Sequence, residues 1–217
     1  AFDGDGDRLG IIDRTGRYLS ANEILVMLYW YLHEKKGWRG PVVRNLATTH
    51  MLDVMAASFG EVCYEVPVGF KYISAKIDET DAVLGGESSG GLTVRGHIHG
   101  KDSVYAASLF VEMISAMEKS PAELWAELTA KYGEHVMEED NLSFAPADKA
   151  AVHNTLMVER RLPDFGRAVA DADYTDGCRL NFADGSFLIC RFSGTEPLLR
   201  IFAEDKTSAG ARSLIDT

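Results

Sequence analysis

The chain has 217 residues, 46% apolar and 25% charged, with a formal net charge of −11, a length that suits one large domain or two smaller ones and a composition typical of soluble globular proteins. The acidic surplus excludes a nucleic-acid groove and an anionic membrane surface as partners, and no segment approaches the roughly 20 apolar residues of a transmembrane helix. Cys63, Cys178 and Cys190 are odd in number and widely spaced, which argues against a disulfide framework or a CxxC zinc site and for reduced thiols in a cytoplasmic protein. No signal peptide is visible, and the opening Ala1-Phe2-Asp3-Gly4-Asp5 lacks Met, as expected of a chain cut from a longer one.

In chain order, Leu9 to Ile12 and Tyr18-Leu19 flank the turn Asp13-Arg14-Thr15-Gly16 and predict a hairpin. Ser20 or Asn22 caps a helix from Glu23 to about Lys36, which ends at Gly37. A strand begins at Pro41-Val42-Val43. The spacing of Leu52, Met55, Ala56 and Phe59 predicts a helix from His50 that stops at Gly60. Val62 to Val66 is a strand, Tyr72 to Glu79 a helix, and Ala82 to Leu84 a short buried strand. Ser103 to about Lys119 and Pro121 to about Tyr132 are helices, the second with Pro at its first position. This alternation predicts an α/β layer domain with a mostly parallel sheet.

The polar stretch from Glu134 to Asp148 is expected to be a domain boundary. After it come a helix (Lys149 to Arg161) and strands at 179–182, 186–191 and 199–204, with Asp184-Gly185 as a hairpin turn. Ser208 to Ile215 begins like a helix. The second unit is a small α+β domain.

Three segments carry chemistry. In Asp3-Gly4-Asp5-Gly6-Asp7-Arg8, three carboxylates alternate with glycines that let the backbone curl and aim them at one centre. A hard divalent cation, most naturally Mg²⁺, would neutralise them. An EF-hand fails, because Arg8 and Arg14 stand where its Gly and Glu belong. A solvated acidic turn is the plainer alternative. In Gly85-Gly86-Glu87-Ser88-Ser89-Gly90-Gly91, Glu87 and Ser89 lie two residues apart on a loop whose glycines admit a ligand to the backbone. That pair suits vicinal hydroxyls, and a ligand-free Gly/Ser loop is the alternative. In Arg191-Phe192-Ser193-Gly194-Thr195-Glu196-Pro197, with Arg200 beyond, hydroxyls, the Gly194 N–H and two guanidinium groups suit an anion. A plain turn between strands is the alternative. A weaker segment is Arg95 to Asp102. His97 and His99 lack a third metal ligand, and Lys101 is the better candidate there, as a cation for a sugar phosphate.

Together and in this order, the three segments resemble the α-D-phosphohexomutase superfamily of phosphoglucomutases and phosphomannomutases. Asp3 to Arg8 matches the family's magnesium loop, Gly86 to Gly90 its sugar loop, and Arg191 to Pro197 with Arg200 its phosphate loop. Lys101-Asp102 and Val68-Gly69-Phe70-Lys71 also resemble family segments. Many bacterial members have His after the Ser-Gly of the sugar loop, where this chain has Gly91, so it resembles a phosphoglucomutase-like branch.

The resemblance implies an α/β fold, with a mixed sheet and flanking helices as in the third family domain, followed by the small α+β fourth domain. It divides the chain into 1–19 (remnant of the second domain, with the metal loop), 20–136 (sugar domain) and 137–217 (phosphate domain). It implies Mg²⁺ on Asp3, Asp5 and Asp7. It implies a hexose phosphate substrate, a glucose or mannose 1- or 6-phosphate passing through a bisphosphate. Arg8, Lys71, Glu87, Ser89, Lys101, Arg191, Ser193, Gly194, Thr195 and Arg200 would bind it. The catalytic phosphoserine has no match here and is expected in N-terminal domains of the same polypeptide, so these residues alone should be inactive as a mutase. A non-catalytic sugar-phosphate-binding fragment and a different Mg²⁺-dependent phosphotransferase using Asp3 as nucleophile stay open.

Overall fold

Ser20 sets the start of the first long helix. Its hydroxyl accepts from Glu23 N while the Glu23 carboxylate accepts from Ser20 N, a capping box that opens α1 (Ala21–Glu34). In this computed structural model, which describes every residue except 194 and 195, the chain forms two compact units, Ala1–Gly133 and Glu134–Thr217. Among the described residues no helix is long and apolar enough to cross a membrane.

The first unit begins with a ribbon of β1 (Ile11–Ile12) and β2 (Tyr18–Leu19), antiparallel as expected. It continues through α1, β3 (Val42–Asn45), α2 (Met51–Phe59), β4 (Cys63–Val66), α3 (Phe70–Thr80), β5 (Leu84–Gly86), β6 (Leu92–Val94), α4 (Ser103–Met117) and α5 (Pro121–Tyr132). The sheet order is β4-β3-β5-β6. The first three strands are parallel and β6 is antiparallel, so the sheet is mixed. Period-two alternation sends Val42 into the core formed with α1, α2, α4 and α5, and Val43 into a second cluster with Ile73 and Ile77 of α3. Helices therefore cover both faces. The chain steps from β3 to β4 on one side and returns to β5 on the other. The carboxyl ends of β3 and β5 thus form the switch point where sheets of this kind bind ligands.

Strand β5 carries glycine for reasons of space. A Cβ on Gly85 would stand 2.5 Å from Ile73 Cγ2, and one on Gly86 2.3 Å from Leu25 Cδ2. Helices α3 and α1 thus press directly on the backbone that enters the Glu87 loop. The short strand β6 lies beyond the reach of periodicity. β5 falls two residues later than expected, because Ala82 and Val83 are buried on the approach to it.

The second unit is an antiparallel sheet in the order β7-β11-β10-β9-β8, formed by Val136–Ser143, Leu198–Asp205, Phe187–Phe192, Cys178–Phe182 and Val169–Asp173. Helix α7 (Ser208–Asp216) packs Ala211 and Leu214 against Leu180, Leu188 and Ala203. Strand β7 lies where polar composition suggested a linker. Among the described residues it pairs with β11 alone, and none of its residues is fully buried, so an edge strand with two polar faces reads as a loop. The boundary expected at 136/137 falls just inside it, whereas the units divide between Gly133 and Glu134. The helix expected over 149–161 is α6 (Lys149–His153) followed by a π-helical turn, Asn154–Val158. Gly185 sits at φ 89°, which the turn between β9 and β10 requires.

Gly86→Ala should lower the stability of the first unit by about 1–3 kcal/mol, the usual cost of overpacking. Trp30, Trp38 and Trp125 all lie in that unit. Urea unfolding followed by tryptophan fluorescence therefore reads it, and an unchanged midpoint would show that Leu25 yields freely.

Candidate functional site

The acidic loop folds around Asp3. Its Oδ1 accepts from Asp7 N and Arg8 N, each at 3.0 Å, and Gly6 takes φ 70° with its N–H donating to Asp3 O. The amide of Arg8, foremost, holds the exposed Asp3 carboxyl below its ordinary pKa. One carboxylate oxygen from each of Asp3, Asp5 and Asp7 lies within 4.8 Å of the other two, and among the described residues this is the only such group of His, Cys, Asp or Glu side chains. Asp7 Oδ1 is buried and accepts no hydrogen bond. Arg8 Nε lies 3.6 Å from both Asp3 Oδ2 and Asp7 Oδ1, and Lys101 Nζ pairs with Asp7 Oδ2. Three convergent carboxylates with an orphaned oxygen fit a hard divalent cation such as Mg²⁺.

The loop is tied down from two sides. Ser103, at the first turn of α4, donates from its backbone N and hydroxyl to Gly6 O. Leu9 N donates to Gly90 O at 3.2 Å, which joins the acidic loop to the Glu87 loop within one unit.

Residues 87–91 link β5 to β6, with Glu87 N donating to Gly91 O and Gly90 N to Glu87 O. Glu87 is only 6% exposed. Its Oε1 accepts from Asn45 Nδ2 at 3.2 Å and Gly69 N at 3.1 Å, and Oε2 accepts weakly from Ser89 Oγ at 3.5 Å. Thr48 Oγ1 accepts from Ser88 N and donates to Asn45 Oδ1. Asn45 and Thr48 follow β3, the other strand of the switch point, and were not foreseen. The only signal for them in the sequence is a set of polar residues, Asn45 and Thr48 to His50, just after Val42-Val43. Ser89 is exposed and Lys71 lies exposed on α3, its ammonium over the Tyr72 ring at 4.8 Å.

The two histidines are held by different carboxylates, His97 by Asp102 and His99 by Asp78, each at 2.9 Å. Asp102 also caps α4 by accepting from Tyr105 N, which lowers its pKa.

In the second unit, the segment from Ser193 to Pro197 joins β10 to β11. Gly194 and Thr195 lie outside the described residues. Arg191 and Arg200 are directly opposite in the register, so they share a face. Arg191 donates to Asp176 Oδ1 from Nε at 3.2 Å and from Nη2 at 2.9 Å. Arg200 is exposed and makes no ion pair among the described residues. Ser193 is buried, its Oγ accepts from Glu196 N at 3.2 Å, and its carbonyl accepts from Lys149 Nζ. Lys149 was also missed, being distant in sequence. Like charges directly opposite repel, and Asp176 balances only one of them, so this face suits an anion.

A groove of about 840 Å³ lies elsewhere in the first unit, lined by Phe2, Leu9, Ile11, Phe110, Val111 and Ile114 among others. It is apolar and takes none of Asp3, Asp5, Asp7, Glu87 or Ser89 into its walls.

Residues 20–132 match the family model for phosphoglucomutase/phosphomannomutase alpha/beta/alpha domain III, and residues 122–217 that for the C-terminal domain. The chain therefore belongs to the phosphoglucomutase/phosphomannomutase family and is a C-terminal portion of such a protein. It is 29% identical over 216 residues to a phosphoglucomutase/phosphomannomutase of Thermococcus kodakarensis, covering 100% of this chain and 45% of that protein. It is 32% identical over 209 residues to a phosphoglucosamine mutase of Thermus thermophilus, covering 96% and 42%. A crystal structure described as a phosphomannomutase, also from Thermus thermophilus, superposes with a TM-score of 0.80 at 28% identity, covering 100% of this chain and 44% of that one. The chain thus spans less than half the length of these relatives.

Because Asp3 is depressed when folded, its stabilising contribution is present above the ordinary aspartate pKa and is lost as pH falls through the lowered folded value. Carboxyl ¹³C titration should show Asp3 protonating below the ordinary aspartate value. An ordinary value would mean that the amide cradle is not formed.

Proposed function

We propose that this chain supplies the cation-, sugar- and phosphate-binding parts of a mutase that interconverts hexose 1-phosphate and hexose 6-phosphate through a bisphosphate. The observation that carries this reading is the bonding of the acidic loop to the Glu87 loop through Leu9 N to Gly90 O, with Lys101 of the segment after β6 paired to Asp7, in a chain of this family. Asp3, Asp5 and Asp7 would hold Mg²⁺, which supplies charge neutralisation for a phosphoryl group. The relatives named above share hexose phosphates as the substrate class, and glucose or mannose phosphate is the proposed substrate here.

The residues of the chain bind and orient. Ser89 is exposed beside Glu87 Oε2, whose one partner among the described residues is that weak hydroxyl contact. The pair can exchange that contact for ring hydroxyls. Arg8 and Lys101 carry positive charge at the acidic loop, and Lys71 adds one on α3. Arg191, Ser193, Gly194, Thr195 and Arg200 bind the phosphate that is not reacting, with Arg200 the guanidinium most open to it. The phosphoserine that gives and takes the phosphoryl group belongs to polypeptide upstream of Ala1. Asp3 is a poor rival nucleophile, because its Oδ1 already accepts two backbone amides.

Residues 1–217 should give no coupled turnover of glucose 1-phosphate or mannose 1-phosphate, while a version extended upstream to the relatives' length should turn over. Clear turnover by residues 1–217 alone would refute the placing of the nucleophile. In the extended protein Arg200→Ala should raise KM about tenfold or more, the loss of a charged hydrogen bond to phosphate. An unchanged KM would remove Arg200 from the phosphate site.

A further inference from the structure

We propose that Gly91 is a positioning residue for Lys101: the missing side chain at 91 opens the lane along which Lys101 reaches Asp7, so the residue at 91 sets how tightly the acidic loop holds a divalent cation. A Cβ on Gly91 would stand 2.2 Å from Lys101 Cδ, 2.8 Å from Cγ and 3.6 Å from Cε. The aliphatic stem of Lys101 thus lies against the bare α-carbon, and its ammonium pairs with Asp7 Oδ2, the two side chains being 20% and 27% exposed.

The backbone does not require glycine at this position. Gly91 has no left-handed φ, and the three nearest atoms a Cβ would meet all belong to the Lys101 side chain. The neighbouring Gly90 differs on both counts, with φ 100° and the Leu9 carbonyl oxygen 3.1 Å from a Cβ. Position 91 is therefore reserved for the lysine stem. Gly91→Ala would turn that stem aside at little cost to the fold.

The consequence for the cation is electrostatic and rests on the reading of Asp3, Asp5 and Asp7 as its ligands. Lys101 is a tethered monovalent cation on one of the three carboxylates. An incoming divalent ion must displace the ammonium or accept its repulsion. A side chain at 91 that diverts Lys101 removes this competitor.

Mn²⁺ binding to the 217-residue chain, measured by calorimetry at low ionic strength, tests this. Lys101→Met should tighten binding about two- to fivefold, as expected for loss of a partly exposed ion pair. Gly91→Ala should tighten it by a similar factor, and the double variant no further than either single one. Additive effects, or an unchanged affinity in Gly91→Ala beside a tightened Lys101→Met, would overturn the proposal. Lysine-ammonium NMR without metal gives a second measure: a bonded Lys101 Nζ–Asp7 pair in the parent chain should be lost in Gly91→Ala, and its persistence would overturn the positioning role. Absence of Mn²⁺ binding in every variant would overturn the cation reading and the affinity part of the proposal, and the NMR result would then decide the positioning role alone.

Discussion

The buried carboxyl group of Glu87 is the constraint around which the first unit's binding loops are arranged. At 6% exposure it must find hydrogen-bond donors inside the protein, since an unsatisfied buried polar group costs about 1–3 kcal/mol. The donors come from three places: Asn45 at the end of β3, Gly69 ahead of α3, and Ser89 in its own loop. Each fixes one connection at the carboxyl edge of the sheet. The loops at the switch point are thus held together by a group of the kind that also recognises sugar hydroxyls. The contact to Ser89, at 3.5 Å, is the weakest of the three.

The acidic loop poses the opposite problem. Its charges repel, and little of it is buried. It holds its shape because backbone amides of Asp7 and Arg8 converge on Asp3 and because Gly6 O is gripped by Ser103. Asp102, one residue before Ser103, caps the same helix. The start of α4 therefore does two things: it ends the Lys101 segment in a fixed place, and it anchors the loop that Lys101 reaches. Arg8 and Lys101 offset part of the negative charge. The loop is preformed through its own backbone amides, one helix end and the bond from Leu9 N to Gly90 O, not through a core of its own.

How much was legible follows from which forces write themselves into local sequence. Helix caps do. Ser20-x-x-Glu23 and Ser120-x-x-Glu123 fix the starts of α1 and α5 within a residue or two of expectation, and α2 stops at Gly60 as expected, with that glycine in the left-handed conformation. Glycine-spaced carboxylates also do, since Asp3, Asp5 and Asp7 converge as their spacing suggested. Three-residue β6 and the polar edge strand β7 leave no periodic trace, because one is too short and the other has no buried face. Asn45, Thr48 and Lys149 were missed for a different reason: their partners, Glu87, Ser88 and Ser193, are about 40 residues away in sequence and meet them only through the folded sheets. The pairing of Arg191 with Asp176, 15 residues apart, likewise forms only through the folded sheet.

The glycines of the binding loops divide along the same line. Gly6 and Gly90 need a backbone conformation that other residues resist, and sequence logic recognises such positions as turns. Gly85, Gly86 and Gly91 have ordinary φ and are glycine because something else occupies the space of a side chain: Ile73, Leu25 and Lys101 respectively. In the first two cases the occupant is a core residue, so the consequence of substitution is stability. At Gly91 the occupant carries a charge to the acidic loop, so the consequence passes to electrostatics. A run of glycines that looks uniformly flexible in the sequence is therefore three separate devices: a bend, a packing surface for two helices, and a channel for one lysine.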